Sequence, residues 1–186
     1  MQKLSITFFI LFSLLVIALT PTVPLKPIIL NINEKQLTQD AKKQVECLAD
    51  NIFFESAHEP RDGQIAVAFV TLNRVKSSEF PDEICEVVKQ KTRVERIGDR
   101  RIVCQFSWYC ETVPKQLSYA KSKLTNTQQK VYNRSMEIAL YVYANHDKIK
   151  DPSDGALFYH ADYVNPRWKL VKTVVIGRHI FYKESV

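Results

Sequence analysis

Val45, Leu48, Ala49, Ile52 and Phe53 recur at i, i+3, i+4, i+7 and i+8, which is one apolar stripe on an α-helix. A helix with one apolar face must bury it against other elements, so this stripe sets the centre of whatever the chain builds. The helix begins near Gln36 and runs into "NIFFESAHEP", residues 51–60. There it projects a carboxylate, Glu55, from its most apolar turn, next to Phe53 and Phe54, and stops short of Pro60. Glu59-Pro60 then opens a second helix with proline in its first turn, striped by Ile65, Ala68, Phe69 and Leu72. "SSEFPDEIC" reads as a loop with a short helical turn after Pro81. Residues 86–108 read either as irregular or as a β-hairpin centred on Gly98-Asp99. Thr125 and Gln128 form a capping box for a third long helix, which carries Val131, Ser135, Ile138 and Val142 on one face. "DPSDG" ends that section, and "ALFYHA" and "KTVVIGRHIFYK" read as strands, with Gly177 at a turn or bulge. The expected class is α+β: a helical core first, a small antiparallel β subdomain later.

The first 35 residues stand apart from this pattern. Leu4 to Leu19 is a charge-free run of sixteen residues after one lysine, Lys3. As a helix it spans about 24 Å, short of the roughly 30 Å of a hydrocarbon core, and it fits the apolar centre of a secretory signal. Ala18-x-Thr20 is the nearest small-x-small cleavage site, and Pro21 follows it directly, so an uncleaved membrane anchor is the alternative. Pro21, Pro24 and Pro27 make a linker. Residues 1–35 are therefore assigned to a signal or anchor plus linker, and 36–186 to one domain. The expected location is the periplasm or cell envelope, anchored to the inner membrane if the segment is retained. Four cysteines, Cys47, Cys85, Cys104 and Cys110, in an exported chain imply two disulfides. Three pairings exist. Cys104 and Cys110 close a short loop and are the favoured pair, which leaves Cys47 with Cys85. No C-x-x-C spacing supports a zinc site.

Net charge of +6 favours an anionic partner, and export argues against nucleic acid. The four histidines, His58, His146, His160 and His179, have no metal-site spacing, and four glycines leave no phosphate-cradling loop. No metal or cofactor is expected. Glu55 is the residue with chemistry to offer. An exposed glutamate titrates near 4.3; phenylalanine neighbours and the negative end of a helix both disfavour its charged form. A glutamate kept protonated near neutrality is what glycosidic cleavage requires of its general acid. The bland reading is a surface glutamate at a fraying helix end. Gln105, Phe106, Ser107 and Trp108, with Tyr159, His160 and Trp168, offer the flat rings and amides that suit sugar faces, although core packing accounts for any one ring equally well.

"CLADNIFFESAHEPRDGQIAVAFVTLNRVKSSEFPDEICEVV", "CQFSWYC", "DGALFYHADYVNPRW" and "IGRHIFYK", in that order, resemble the SleB-type cell wall hydrolases, the group that includes spore-cortex-lytic enzymes. The likeness runs from about Cys47 to Lys183. It implies a lysozyme-like fold and a glycosidase acting on peptidoglycan glycan strands. The family's catalytic acid, the glutamate ending the first helix, falls on Glu55. The resemblance further implies a lytic transglycosylase that cuts the MurNAc–GlcNAc β-1,4 bond and leaves a 1,6-anhydro end. The usual E-A-R-G-E is here Glu55-Ser56-Ala57-His58-Glu59, without the arginine or the glycine. Two alternatives stand beside this reading. One is muramidase-type hydrolysis with a second carboxylate among Glu59, Asp62 and Asp99; the other is a non-catalytic module that binds envelope glycan. The pattern fixes no oligomeric state.

Overall fold

The computed structural model describes residues 37–96, 99–111 and 121–185; the proposed signal or anchor lies outside them. Helix α1 (Gln39–Ser56) starts at Thr38, whose hydroxyl accepts from the Ala41 N–H at 3.2 Å. Its stripe does what the spacing demands: Val45, Leu48, Ala49 and Ile52 are all buried. Helix α2 (Arg61–Lys76) follows after one turn. The expected stripe Ile65, Ala68, Phe69 and Leu72 is buried in the cluster that includes α1, and the opposite face, Ala66, Val67 and Val70, is buried in a second cluster. A helix apolar on both faces belongs inside, and α2 is the central element of the domain.

On one side of α2 lie α1, the short α3 (Ile84–Lys89) and α5 (Asn126–Asn145). The Cys47–Cys85 disulfide ties α1 to α3, beside Gln44, whose side-chain oxygen accepts from the Cys85 N–H at 2.9 Å. Thr125 and Gln128 make the expected capping box at the start of α5, and Ser135, Ile138 and Val142 face the core with Ala139. On the other side of α2, Phe181 and Ala156 pack on Ala66, Val67 and Val70. Phe181 belongs to a three-stranded antiparallel sheet of order β3–β5–β4, made of β3 (Phe158–Ala161), β4 (Val171–Ile176) and β5 (His179–Lys183). Gly177 takes the turn option, between β4 and β5, and the ladder's irregularity lies elsewhere, between Lys172 and Val175.

The hairpin option for residues 86–108 is also realised in part. Strands β1 (Lys91–Arg96) and β2 (Asp99–Cys104) pair antiparallel with Arg93 opposite Ile102; Ile97 and Gly98 lie outside the described residues. A second disulfide, Cys104–Cys110, joins the end of β2 to the short α4 (Ser107–Glu111). Both favoured cysteine pairs therefore form. The domain is α+β, a helical core with small antiparallel sheets. Among the described residues no helix is long and apolar enough to cross a membrane.

Candidate active site

Glu55 is the last residue but one of α1, so its position depends on how that helix stops. A helix end often turns through a left-handed residue, most often glycine. Here Ala57 stays right-handed, at φ −52°, and the exposed carbonyls are met by another helix instead. Gln64 of α2 donates from Nε2 to the Ser56 carbonyl at 3.0 Å and the Ala57 carbonyl at 3.2 Å. That contact ties the end of α1 to α2. The next carboxylate, Glu59, accepts from the Arg178 N–H at 2.8 Å through Oε2. It braces the β4–β5 turn, where Gly177 sits at φ +57°. A side chain at Gly177 would collide with the Glu59 carboxylate and with Pro60, so the α1–α2 turn and the sheet meet at a point only glycine permits.

Glu55 faces the sheet. Its Oε2 accepts from the Tyr159 hydroxyl of β3 at 3.1 Å. Burial pushes the Glu55 carboxyl above the usual carboxylate range, and nearby Glu111 adds to this; the Tyr159 hydrogen bond and the Arg74 charge oppose it without cancelling it. Burial likewise holds the Tyr159 phenol well above its ordinary value. Arg74 is 3% exposed. Its Nε donates to the Leu157 carbonyl at 2.8 Å, and its guanidinium lies over Phe80, Phe106 and Phe158 at 5.2, 5.0 and 5.9 Å. With its amide oxygen turned inward, Gln105 accepts from both terminal nitrogens of Arg74 at 3.3 and 3.0 Å. Burial lowers Arg74 to about 10, so it is charged at neutral pH.

Two cavities meet at Glu55. One, of about 460 Å³, is lined by Phe53, Phe54, His58, Glu59, Tyr163 and His179 among others. The second, of about 260 Å³, is lined by Arg74, Gln105, Phe106, Ser107, Phe158, Tyr159 and Trp168. Together they form a groove that passes the acid on both sides. Of the candidate sugar contacts, Gln105, Phe106, Ser107, Tyr159 and Trp168 thus converge on Glu55. Trp108 and His160 line neither cavity. Trp108 is buried, stacked on Phe54 at 4.6 Å, and its indole N–H donates to the Asn51 side-chain oxygen at 3.1 Å. It supports the helix turn behind Glu55. His160 is stacked on Tyr182 at 5.2 Å, hydrogen-bonded to its hydroxyl at 3.0 Å, and edge-on to Trp168 at 5.4 Å; it braces Trp168 from behind.

Arg74 is the site residue the motif reading lacks. A signal for it exists in the spacing: Val67, Val70 and Arg74 stand at i, i+3 and i+7, which places a cation on the second apolar face of α2. Among the described residues no group of three or more His, Cys, Asp or Glu side chains could hold a metal ion.

Comparison with known proteins places the chain in context. The sequence model of the cell wall hydrolase family matches residues 58–182, starting three residues after Glu55. A spore cortex-lytic enzyme of Bacillus cereus is 26% identical over 146 residues, covering 77% of this chain and 45% of the relative. One from Oceanobacillus iheyensis is 32% identical over 62 residues, covering 33% of this chain and 22% of the relative. The chain thus spans less than half the length of these curated relatives. Among solved structures, the catalytic domain of the germination-specific lytic transglycosylase SleB from Bacillus anthracis superposes with a TM-score of 0.49 at 24% identity, covering 82% of this chain and 100% of that one.

Proposed function

Because the chain belongs to the cell wall hydrolase family, we propose that it cleaves peptidoglycan glycan strands at the MurNAc–GlcNAc β-1,4 bond, with Glu55 as general acid. The observation that carries this reading is the acid itself: a carboxyl whose affinity for its proton is raised by burial, at the junction of two cavities. A polymer substrate needs room on both sides of the scissile bond, and the groove supplies it. Residues 1–35 serve as export signal or anchor, which puts the domain where the substrate is.

The chemistry follows from the hydrogen bonding. The Tyr159 hydroxyl donates to Oε2 of Glu55, so Oε1 is the oxygen left to carry the proton. Transfer of that proton to the bridging oxygen breaks the bond and leaves an oxocarbenium-like sugar. The new carboxylate is then met by the Tyr159 hydroxyl and the Arg74 charge, both of which favour its ionised form. It takes the proton from the muramic 6-hydroxyl, which attacks the anomeric carbon within the same sugar. The product is a 1,6-anhydro end, and Glu55 is again protonated. Lytic transglycosylation needs no second carboxylate. Among the described residues lining the two cavities the only other one is Glu59, whose Oε2 is engaged by the Arg178 N–H. Hydrolysis with Glu59 as base is the second reading, and Glu59's place on the cavity wall favours it over Asp62.

Digestion of purified cell walls decides among these. Release of muropeptides lighter by one water than the hydrolysed sugar is the expected product by mass. Reducing ends would shift the reaction to hydrolysis. Binding to walls without any release would leave only a glycan-binding module.

A further inference from the structure

The Trp168 side of the groove carries cations that the reaction does not use. Trp168 lines the smaller cavity beside Glu55, and Arg167 and Lys169 flank it, all three exposed. Arg167 is at φ +54°, a left-handed conformation uncommon for a residue with a Cβ. The facing wall, Gln105 to Ser107, continues directly from β2. Lys91, Arg93, Arg100 and Arg101 of the β1–β2 hairpin are all exposed. The base of this hairpin is fastened to the cavity wall in two ways. The Cys104–Cys110 disulfide encloses Gln105–Ser107, and the Gln105 N–H donates to the Gln90 carbonyl at 2.9 Å. Lys91 lies over the Tyr109 ring at 5.0 Å. Arg100 approaches Glu95 at 3.8 Å, with both side chains exposed. Among the described residues Arg93, Arg167 and Lys169 have no ion-pair partner. Exposed cations thus stand on both sides of the smaller cavity and outnumber the exposed anions beside them, Glu95 on the hairpin and Glu111 on α4.

A neutral sugar chain gives such cations nothing to bind. Peptidoglycan does, because its muramic sugars bear a lactyl group that can be amide-linked to a short peptide with free carboxylates. A strand with its muramic sugar over Glu55 carries that peptide past the lips of the groove. We propose that this cationic rim receives the carboxylates of the acidic peptide attached to the muramic sugar, so that the enzyme prefers peptide-bearing glycan to bare glycan. The inference rests on the glycosidase reading above. It commits to one partner by charge complementarity and by the continuity of the rim with the groove.

The test uses the full chain and two substrates: glycan strands with their peptides, and the same strands after an amidase has removed them. The expected wild-type rate is about 3- to 10-fold higher on the peptide-bearing strands, the range that two or so exposed ion pairs supply. That ratio should fall toward one in about 0.5 M salt. Arg167→Gln with Lys169→Gln, and separately Arg93→Gln with Arg100→Gln, should each bring the ratio toward one at low salt. Equal wild-type rates on the two substrates would overturn the rim while leaving the glycosidase intact. A preference that both double variants retain would overturn it as well. If the variants lose binding to anionic phospholipid vesicles and keep the preference, the rim is a membrane contact. Wild-type failure on both substrates would sink the glycosidase reading and the rim with it.

Discussion

Helix α1 carries two carboxylates inside the protein, and they meet different fates. Asp50 is 6% exposed. It takes the Lys121 ammonium at 2.7 Å and the Tyr132 hydroxyl at 2.9 Å, and Lys121 also reaches Glu46 at 2.8 Å. Glu55, five residues on, has one direct side-chain partner among the described residues, the Tyr159 hydroxyl, and opens on two cavities. Burial pushes both carboxyls up. At Lys121, burial would pull the ammonium down, but its hydrogen bonds to Asp50 and Glu46 outweigh that and keep it charged. A buried carboxylate closed in by a cation is structure. One left with a single neutral donor beside a groove is available for proton transfer.

The largest expected effect is at Glu55. Glu55→Gln keeps the shape and removes the proton, and should lower the rate of wall digestion by at least about 10²–10⁴. Its stability should move the other way. A carboxyl whose folded pKa is raised loses stability as pH climbs above its unfolded value, so wild type carries that loss at pH 7 and not at pH 4. The variant escapes it. Thermal melts should therefore show Glu55→Gln equal to or above wild type at pH 7, with the gain fading toward pH 4. Near-normal activity in this variant would show that the comparison has picked the wrong carboxylate.

The two disulfides extend the contrast. Cys47–Cys85 closes a separation of 38 residues near Asp50, and Cys104–Cys110 a separation of six at the groove. Loop closure predicts about 4 kcal/mol lost on replacing the first pair with serine and about 2 kcal/mol for the second. Denaturant titration measures both. Only the second replacement should also weaken substrate binding, because only that loop holds Gln105 and Ser107.

Lys121→Met should cost about 3 kcal/mol, the low end for breaking a buried pair, since its side chain is 22% exposed. The loss should be smaller at pH 4 to 5 than at pH 7, because protonated Asp50 no longer needs the cation. Activity per folded molecule should hold. A dead but well-folded Lys121→Met would make the Asp50 cluster part of the site and dissolve the distinction between the two carboxylates.

The tyrosines that donate to the two carboxylates differ in the same way. Tyr159→Phe removes the donor that favours ionised Glu55, so the alkaline limb of the pH–rate profile should move to higher pH and the maximum should fall. Tyr132→Phe should leave the limb in place. The smallest effect belongs to Glu59→Gln, whose side-chain oxygen still accepts from the Arg178 N–H. Stability should stay within about 0.5 kcal/mol and activity should persist; a dead Glu59→Gln would restore the hydrolytic reading.

Local chemistry made much of the molecule legible in advance. The α1 stripe had one way to be buried, and Thr125 with Gln128 could only begin a helix. Four cysteines had few pairings, and the short loop favoured the one that forms. Glu55 stood out because an acid among phenylalanines at a helix end is anomalous before any fold is known. Other features depend on contacts far apart in sequence, and no local pattern encodes them. Arg74 becomes part of the site only when Phe80, Phe106 and Phe158 close around it. Trp108 and Trp168 read alike as rings near amides, yet Asn51 and Phe54 draw one into the core while His160 props the other at the groove. The carboxylates of α1 show the division most sharply. Residue spacing alone puts both on one helix with Glu55 at its end. The packing of distant segments brings Lys121 to Asp50 and, among the described residues, forms no ion pair at Glu55, because pairing is set by where other segments arrive, and a charge's free energy by what arrives with them.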